Sequence, residues 1–145
     1  MGKYDGLKLE NQLCFPLYAA SREVIKQYRP FLDQLDLTYT QYITMMVFWE
    51  EKKISVKDLG KRLYLDSGTL TPVLKSLEAK GFVKRYRSSE DERVLIVEIT
   101  PKGEELRDKS LNVPTEVGKC VRLEKGEALE LYQLLYKVLH GIRGE

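Results

Sequence analysis

The sequence predicts a mainly α-helical protein with one small β-hairpin, an α+β fold in a single domain. Apolar residues recur at helical spacing through most of the 145 residues. The exception is a pair of segments with strand composition, FVKRYR and RVLIVEIT, which the turn residues SSEDE separate. With 43% hydrophobic and 32% charged residues, the composition is that of a globular protein and excludes a disordered chain or a membrane span.

The first helix is expected from Leu9 to about Tyr28, because apolar residues keep near-helical spacing over that stretch. Pro16 lies inside it and should bend the helix or move the start of its regular part to near Phe15. Pro30 and a polar link follow. A second helix, with a cap near Thr38, should run to about Glu51 and be buried on most sides.

Two shorter helices joined by a tight turn come next. Ser55 can cap one that ends at Leu63, and Asp66 or Ser67 can cap a longer one that ends near Lys80, where Gly81 stops it. The longer helix has a buried stripe of Leu70, Val73, Leu74 and Leu77, which leaves on the other face Thr69, Thr71, Pro72, Lys75 and Ser76. This pattern is typical of a helix-turn-helix unit whose second helix enters a DNA major groove.

The β-hairpin follows directly and is the wing of a winged helix-turn-helix fold. Thr100 should cap the next helix, with Pro101 at its first position, and that helix should end before Pro114. The last helix is expected from about Lys125 to Gly141. Its apolar stripe suits a partner helix, and its members are Leu131, Leu134, Leu135, Val138, Leu139 and Ile142.

The net charge of +2 hides a basic segment in the middle of the chain. From Lys53 to Arg87 there are nine Lys or Arg residues against three acidic ones. Such a local excess is typical of a surface that binds a polyanion, although a run of charges can also be a solvated face. The opening residues MGKYDGLKLE lack the apolar core of a signal peptide, so we expect a cytoplasmic protein.

The two cysteines, Cys14 and Cys120, lie too far apart in sequence for a metal-ligand motif and are too few for a disulfide scaffold. Each is a candidate for thiol chemistry or a small inert hydrophobic residue, and the residues alone leave this open. No phosphate loop, nucleotide fingerprint or nucleophile elbow is present, and His140 lies in an apolar helix. The sequence therefore indicates a binding protein with no metal or cofactor, and a thiol peroxidase that uses Cys14 is the enzyme alternative.

The segments LENQLCF, LDLTYTQY, LYLDSGTLTPVLKSLEAKG and SEDER together resemble the multiple antibiotic resistance regulator (MarR) family. LENQLC with LDSGTLTP resembles, more narrowly, its organic hydroperoxide regulator (OhrR) branch. The resemblance implies a homodimeric repressor whose N- and C-terminal helices interlock and whose helix-turn-helix units contact an inverted repeat in double-stranded DNA. The DNA-binding part would span about residues 53–100, and the dimerisation helices about 8–30 and 101–142.

The resemblance also assigns residues to the DNA. The recognition helix would meet bases and phosphates through Ser67, Gly68, Thr69, Thr71, Pro72 and Lys75. Arg93 falls at the tip of the wing, where family members insert an arginine into the minor groove, and Asp91 is placed to orient it. A narrow, A/T-rich minor groove attracts arginine.

For the cysteines, the resemblance implies that Cys14 senses organic hydroperoxides and that Tyr28 and Tyr39 of the partner subunit hydrogen-bond its thiolate. Cys120 lies in the segment where some branch members carry a second cysteine, which resolves the oxidised one as an intersubunit disulfide. The alternative within the family is a repressor that a small aromatic ligand releases from DNA, with Cys14 incidental.

Overall fold

The computed structural model describes residues 2–145 and contains seven α-helices and one antiparallel sheet over that range. The helices are α1 (Cys14–Asp33), α2 (Tyr39–Glu51), α3 (Val56–Leu63), α4 (Ser67–Ala79), α5 (Pro101–Lys109), α6 (Val113–Gly118) and α7 (Lys125–Arg143). The strands are β1 (Lys53–Ser55), β2 (Val83–Arg87) and β3 (Leu95–Ile99), and β3 lies in the middle. The mainly α fold with a winged helix-turn-helix is confirmed.

The helices α2, α3 and α4 begin at the predicted caps. This agreement is expected because each cap is a hydrogen bond between residues that are close in sequence. Thr38 and Gln41 form a capping box at the start of α2. The Oγ of Ser55 accepts the Asp58 N–H at 3.1 Å, and Asp66 Oδ1 accepts the Thr69 N–H at 2.7 Å. At the other end of α4, Gly81 has a φ of +83°, a left-handed conformation that ends the helix.

Helix α1 differs from the expectation at its C-terminal end. It begins at Cys14, close to the start near Phe15 that Pro16 predicted, but it continues through Pro30 to Asp33. Pro30 removes one backbone donor, and the last turn forms nevertheless because Leu32 is only 2% exposed and Phe31 packs against the same core. Burial of these two side chains offsets the lost hydrogen bond.

Two short elements were not predicted. Strand β1 has three residues and pairs with β3 so that Ile54 lies opposite Val97, which makes the predicted hairpin a three-stranded sheet. Helix α6 has six residues and contains Pro114, which was expected only to lie beyond a helix end. Proline is tolerated there because first-turn N–H groups have no partner within the helix.

The core lies around α2, which packs against α1, α3, α4 and α5. Met45 and Phe48 of α2 are completely buried, and the other fully or almost fully buried side chains include Leu59, Leu70, Leu74, Leu77, Val97 and Val113. The indole N–H of Trp49 donates to the Gly103 carbonyl at 3.0 Å and joins α2 to the start of α5. Within residues 2–145, no helix is long and apolar enough to cross a membrane.

The terminal helices lie outside this core. No residue of α7 is buried, and its apolar stripe from Leu131 to Ile142 is mostly solvent-exposed in a single chain. Most of α1 is exposed too, including Phe15, Leu17, Val24 and Ile25. Apolar faces of this extent on a monomer mark an interaction surface.

Gly103→Ala is expected to destabilise the fold by about 1–3 kcal/mol, because the added methyl group overpacks a closed site. A Cβ at this position would lie 2.4 Å from the Phe82 carbonyl oxygen and 2.7 Å from Ile99 Cγ1. Denaturant unfolding at a fixed protein concentration measures the change. Gly118→Ala is the matched control, because nothing lies within 4 Å of its Cβ position, and it should change the free energy of unfolding by less than about 0.5 kcal/mol. Equal stabilities of the two variants would contradict the close packing of α5 on the sheet.

Candidate nucleic-acid interface and thiol site

Helix α4 separates an apolar face from a polar one. Leu70, Leu74 and Leu77 are buried, whereas the residues predicted to face a ligand are mostly exposed, namely Ser67, Gly68, Thr69, Pro72 and Lys75. Thr71 is half-buried, and its hydroxyl donates to the Ser67 carbonyl at 2.7 Å, which leaves its oxygen free to accept. The exposed face of α4 therefore presents hydroxyl groups and one cation on a helix, and a DNA major groove is wide enough to admit a helix.

Ser76 was expected on the polar face but faces α2 instead. Its hydroxyl accepts from Gln41 Nε2 at 2.9 Å, and Lys80 Nζ donates to Gln41 Oε1 at 3.0 Å. Gln41 is itself a buried polar residue, so these bonds satisfy its amide. Ser76 therefore orients α4 on α2 and does not belong to the exposed surface.

An ion pair joins α4 to the wing, and the sequence pattern did not indicate it. Arg85 of β2 donates to Glu78 of α4 from its backbone N–H at 3.1 Å and from its guanidinium at 3.0 and 3.2 Å. The bonds from the Arg85 side chain hold the pKa of Glu78 below its usual range. Helix α4 and the hairpin are thereby held in one orientation relative to each other.

The tip of the wing carries Arg93 with its side chain 90% exposed. Asp91 accepts three bonds from it: one from the backbone N–H at 3.0 Å and two from the guanidinium at 3.1 and 3.2 Å. These bonds lower the pKa of Asp91, and those from the Arg93 side chain contribute most. Because the carboxylate holds the guanidinium, Arg93 projects from the wing in a restricted orientation.

Cys14 is the first residue of α1 and its thiol is free and exposed. Before it, residues 5–11 form two short 3-10 turns. Asn11 Nδ2 donates to the Asp5 carbonyl, and Gln12 Nε2 donates to the carbonyls of Gly6 and Lys8, all at 2.8 Å. Asn11 and Gln12 of the LENQLC motif therefore hold the segment that leads to the cysteine.

Tyr28, toward the C-terminal end of α1, packs against Tyr39, the first residue of α2. Their ring centroids are 4.8 Å apart, and Tyr42 joins them at 5.7 Å from Tyr28. Burial raises the pKa of all three, to about 12 for Tyr42, so the hydroxyls stay protonated donors at neutral pH. Tyr42 was missed as a member of this cluster, although its position three residues after Tyr39 on a helix is the signal for a shared face.

A single chain does not bring Cys14 to the tyrosines. Fourteen residues of helix separate Cys14 from Tyr28, which at about 1.5 Å per residue is roughly 21 Å. No hydrogen bond from Tyr28 or Tyr39 to the thiol occurs within residues 2–145. The predicted thiolate donors can act only if a second chain supplies them.

Cys120 is also free and exposed, and lies just after α6. It lines a shallow groove with Glu23, Val24 and Gln27 in the second half of α1. Glu23 follows Cys14 by nine residues, or roughly 13 Å of helix, so the groove lies along a different part of α1 from Cys14. Both thiols are free, and no disulfide joins them within one chain.

Comparison with known proteins gives consistent results. A family model described as transcriptional regulator SarA/Rot matches residues 26–110. The chain is 48% identical, over 94% of its length and 93% of the relative, to the organic hydroperoxide resistance transcriptional regulator of Bacillus subtilis. It is 45% identical to the regulator SarZ of Staphylococcus saprophyticus, over 88% of this chain and 87% of SarZ.

Among solved structures, the chain is similar to AbfR of Staphylococcus epidermidis. The reduced, DNA-bound form of AbfR matches with a TM-score of 0.80 at 34% identity, covering 99% of this chain and 98% of that one. The disulfide form of the same protein matches with a TM-score of 0.65 at 36% identity, covering 94% and 96%. The present arrangement of helices, with both thiols free, is thus more similar to the reduced, DNA-bound form of AbfR than to its disulfide form.

Proposed function

The chain belongs to the MarR family of winged-helix transcriptional regulators, in its organic hydroperoxide regulator branch, and from this we propose that it is a homodimeric DNA-binding repressor inactivated by organic hydroperoxides. Oxidation of Cys14 is the proposed signal, and release of the operator is the proposed response. The observation that carries the proposal is the separation of Cys14 and the tyrosine cluster to opposite ends of the exposed helix α1.

This separation has a simple consequence in a dimer. If two α1 helices cross in antiparallel directions about a two-fold axis, Cys14 of each subunit lies near Tyr28 and Tyr39 of the other. The exposed apolar faces of α1 and α7 supply the surface for such a pairing. We therefore assign dimerisation to about residues 8–30 and 101–142, and DNA binding to about residues 53–100.

In the DNA-bound state, we propose that α4 of each subunit enters a major groove and that the two grooves are about 10 bp apart on one side of an inverted repeat. The proposed contacts begin with Ser67, Gly68 and Thr69 in the first turn of α4. They continue along its exposed face through Thr71, Pro72 and Lys75. Arg93, with Asp91 restricting it, would enter the adjacent minor groove. Contacts to the bases would determine which sequence is bound, and contacts to the phosphates would fix the position of the protein on the duplex.

For sensing, the thiolate of Cys14 is the attacking species, and tyrosine hydroxyls that donate to it would stabilise its negative charge. Its sulfur bonds to one peroxide oxygen as the O–O bond breaks. The cysteine is oxidised to a sulfenic acid, and the leaving alkoxide takes up the proton that the thiol released, so that the hydroperoxide is reduced to an alcohol. The two-electron balance needs no cofactor.

The position of Cys120 supports a second step. It shares a groove with Gln27, next to Tyr28, and the partner's Cys14 would lie near Tyr28 in the antiparallel pairing. We propose that the Cys120 thiol attacks the sulfenic sulfur of the partner's Cys14, so that a disulfide forms and water leaves. A disulfide requires Cα atoms within about 7 Å. If the reduced thiols of the two subunits lie farther apart than this, bond formation would pull the segment after α6 toward the partner's α1 and change the spacing of the two recognition helices.

The DNA contacts are tested by Arg93→Ala and Lys75→Ala, with a duplex recovered from a random-sequence pool by repeated selection with the parent protein. Arg93→Ala should weaken binding by about 1–3 kcal/mol, and Lys75→Ala should also flatten the salt dependence because a phosphate contact is lost. Arg93→Lys is the control that keeps the charge but loses the two guanidinium bonds to Asp91. Its affinity for the duplex should lie between that of the parent and that of Arg93→Ala. Unchanged affinity of both alanine variants would refute the assigned surface.

Sensing is tested by Cys14→Ser, which should bind the selected duplex as well as the reduced parent but keep it after treatment with an organic hydroperoxide. Fluorescence anisotropy before and after oxidant measures this. Release of the duplex by the oxidised Cys14→Ser protein would instead favour an effector that binds the dimer without thiol chemistry.

The same assay tests the tyrosines. Tyr28→Phe and Tyr39→Phe should react more slowly with hydroperoxide, because each loses a donor to the thiolate. Tyr42→Phe is the matched control, since Tyr42 is only 3% exposed whereas Tyr28 and Tyr39 are half-buried, and a second chain can therefore reach Tyr42 least. Oxidation rates that are equal in all three variants would remove the proposed tyrosine roles.

The disulfide is tested on a non-reducing gel of hydroperoxide-treated protein. The parent should run as a covalent dimer that a thiol reductant reverses, whereas Cys120→Ser and Cys14→Ser should each run as monomers. A parent that releases DNA but stays monomeric on this gel would show that Cys120 has no part in the response.

A further inference from the structure

A basic groove lies beside the start of α4, between α3 and the C-terminal end of α7. Its cationic lining residues are Lys57 and Lys61 of α3 and Arg143 of α7, and Ser67 of α4 lies at its edge. The remaining lining residues are Val56, Gly60, Leu65 and Leu70, so no acidic side chain lines the groove among the residues that the structure describes. The groove thus concentrates positive charge next to the proposed DNA-contacting helix.

The two lysines of this groove differ from the neighbouring cations in their ion pairing, and Arg143 is paired with Glu145 at 3.4 Å. Arg62, on the same helix as Lys61, binds Glu50 at 2.9 Å and Glu51 at 3.1 Å. Over residues 2–145, neither Lys57 nor Lys61 has an ion-pair partner. Since the two lysines are four residues apart, they share one face of α3, and their charge is available to a ligand on that face.

Arg143 reaches the groove because the end of α7 packs on the turn between α3 and α4. The turn contains Tyr64, whose φ is +57°, and the Arg143 guanidinium lies 5.1 Å from its ring centroid. The Tyr64 hydroxyl and His140 Nε2 share a hydrogen bond of 3.4 Å. Tyr64 therefore holds the last turns of α7 against the helix-turn-helix unit.

The contact with the Tyr64 ring leaves most N–H groups of the Arg143 guanidinium free to donate hydrogen bonds. One Arg143 nitrogen, Nε, donates to Glu145 at 3.4 Å, which is a long bond, and the stacked guanidinium has further N–H groups at its edge. An arginine stacked on an aromatic ring is pre-organised for a phosphate, because its fork of donors matches two phosphate oxygens. In a helix-turn-helix complex, the first helix crosses the DNA backbone, so α3 and this groove would lie beside that backbone in a complex of this protein.

We propose that this groove binds a backbone phosphate of the operator, with Arg143, Lys57 and Lys61 as its contacts and Tyr64 as the residue that positions Arg143. The inference rests on the proposed DNA-binding function and adds a contact from a dimerisation helix. Because Arg143 belongs to α7, a change in the dimer interface that moves α7 removes this phosphate contact directly, before any change within α4.

The test measures the salt dependence of binding to the selected duplex for Arg143→Gln, Lys61→Gln and Lys137→Gln. Each phosphate contact contributes about 0.9 to the slope of log K against log salt, so the first two variants should each lose about that amount. Lys137→Gln removes the same charge from α7 but does not line the groove, and its slope should equal that of the parent. Arg143→Gln should also keep the parental hydroperoxide reactivity of Cys14.

Tyr64 variants separate positioning from charge. Tyr64→Leu removes the ring under Arg143 and should lower the slope as Arg143→Gln does, with no additional loss in the double variant. Tyr64→Phe keeps the ring and should bind nearly as the parent does. Equal slopes for Arg143→Gln, Lys137→Gln and the parent would overturn the groove as a phosphate site while leaving the proposed function intact. A parent protein that binds no duplex from the pool would instead overturn the proposed function, and this inference with it.

Discussion

The structure depends on one constraint: the chain has more apolar helix than a single copy can bury. The core around α2 accommodates the middle of the chain, from Leu32 to Val117, while α1 and α7 keep most of their apolar side chains exposed. In the proposed dimer, association with a second copy removes that surface from water. The same association would bring the two halves of the proposed thiol site together, because Cys14 and Tyr28 lie roughly 21 Å apart on one helix. Dimerisation and sensing would then depend on the same surfaces.

Short-range chemistry explains which parts of this arrangement could be predicted from sequence. Each cap joins residues three positions apart, and so the starts of α2, α3, α4 and α5 agree with the predictions. The errors concern contacts between distant segments. Helix α1 passes Pro30 because Leu32 meets the core, and β1 exists because Ile54 meets Val97 more than forty residues later. Neither Leu32 nor Ile54 carries a local signal of its partner.

The same distinction applies to the candidate sites. The polar face of α4 was predictable from helical periodicity, and Cys14, Arg93 and the tyrosines from their resemblance to a known family. Asp91, which holds Arg93 from two residues away, was predicted as well. The other side chains that hold those groups in place were not, since each joins separate elements of the fold. Ser76 binds Gln41 of α2, Glu78 binds Arg85 of the wing, and Tyr64 contacts α7 more than seventy residues away. Only the three-dimensional arrangement distinguishes these supporting residues from ordinary surface polar groups.

These supporting contacts limit how the proposed oxidation of Cys14 could change the DNA-binding surface. Glu78 and Arg85 join α4 to the wing through three hydrogen bonds, and the Gln41 network joins α4 to the core. Distortion inside this unit would break several bonds at once, whereas rotation of the whole unit about the exposed helices breaks none of them. The contact between Tyr64 and the end of α7 lies at the boundary between the two parts. The disulfide that we propose, which would draw the segment after α6 toward the partner's α1, would therefore act most easily by reorienting two rigid DNA-binding units. Their spacing would change while each unit keeps its own structure.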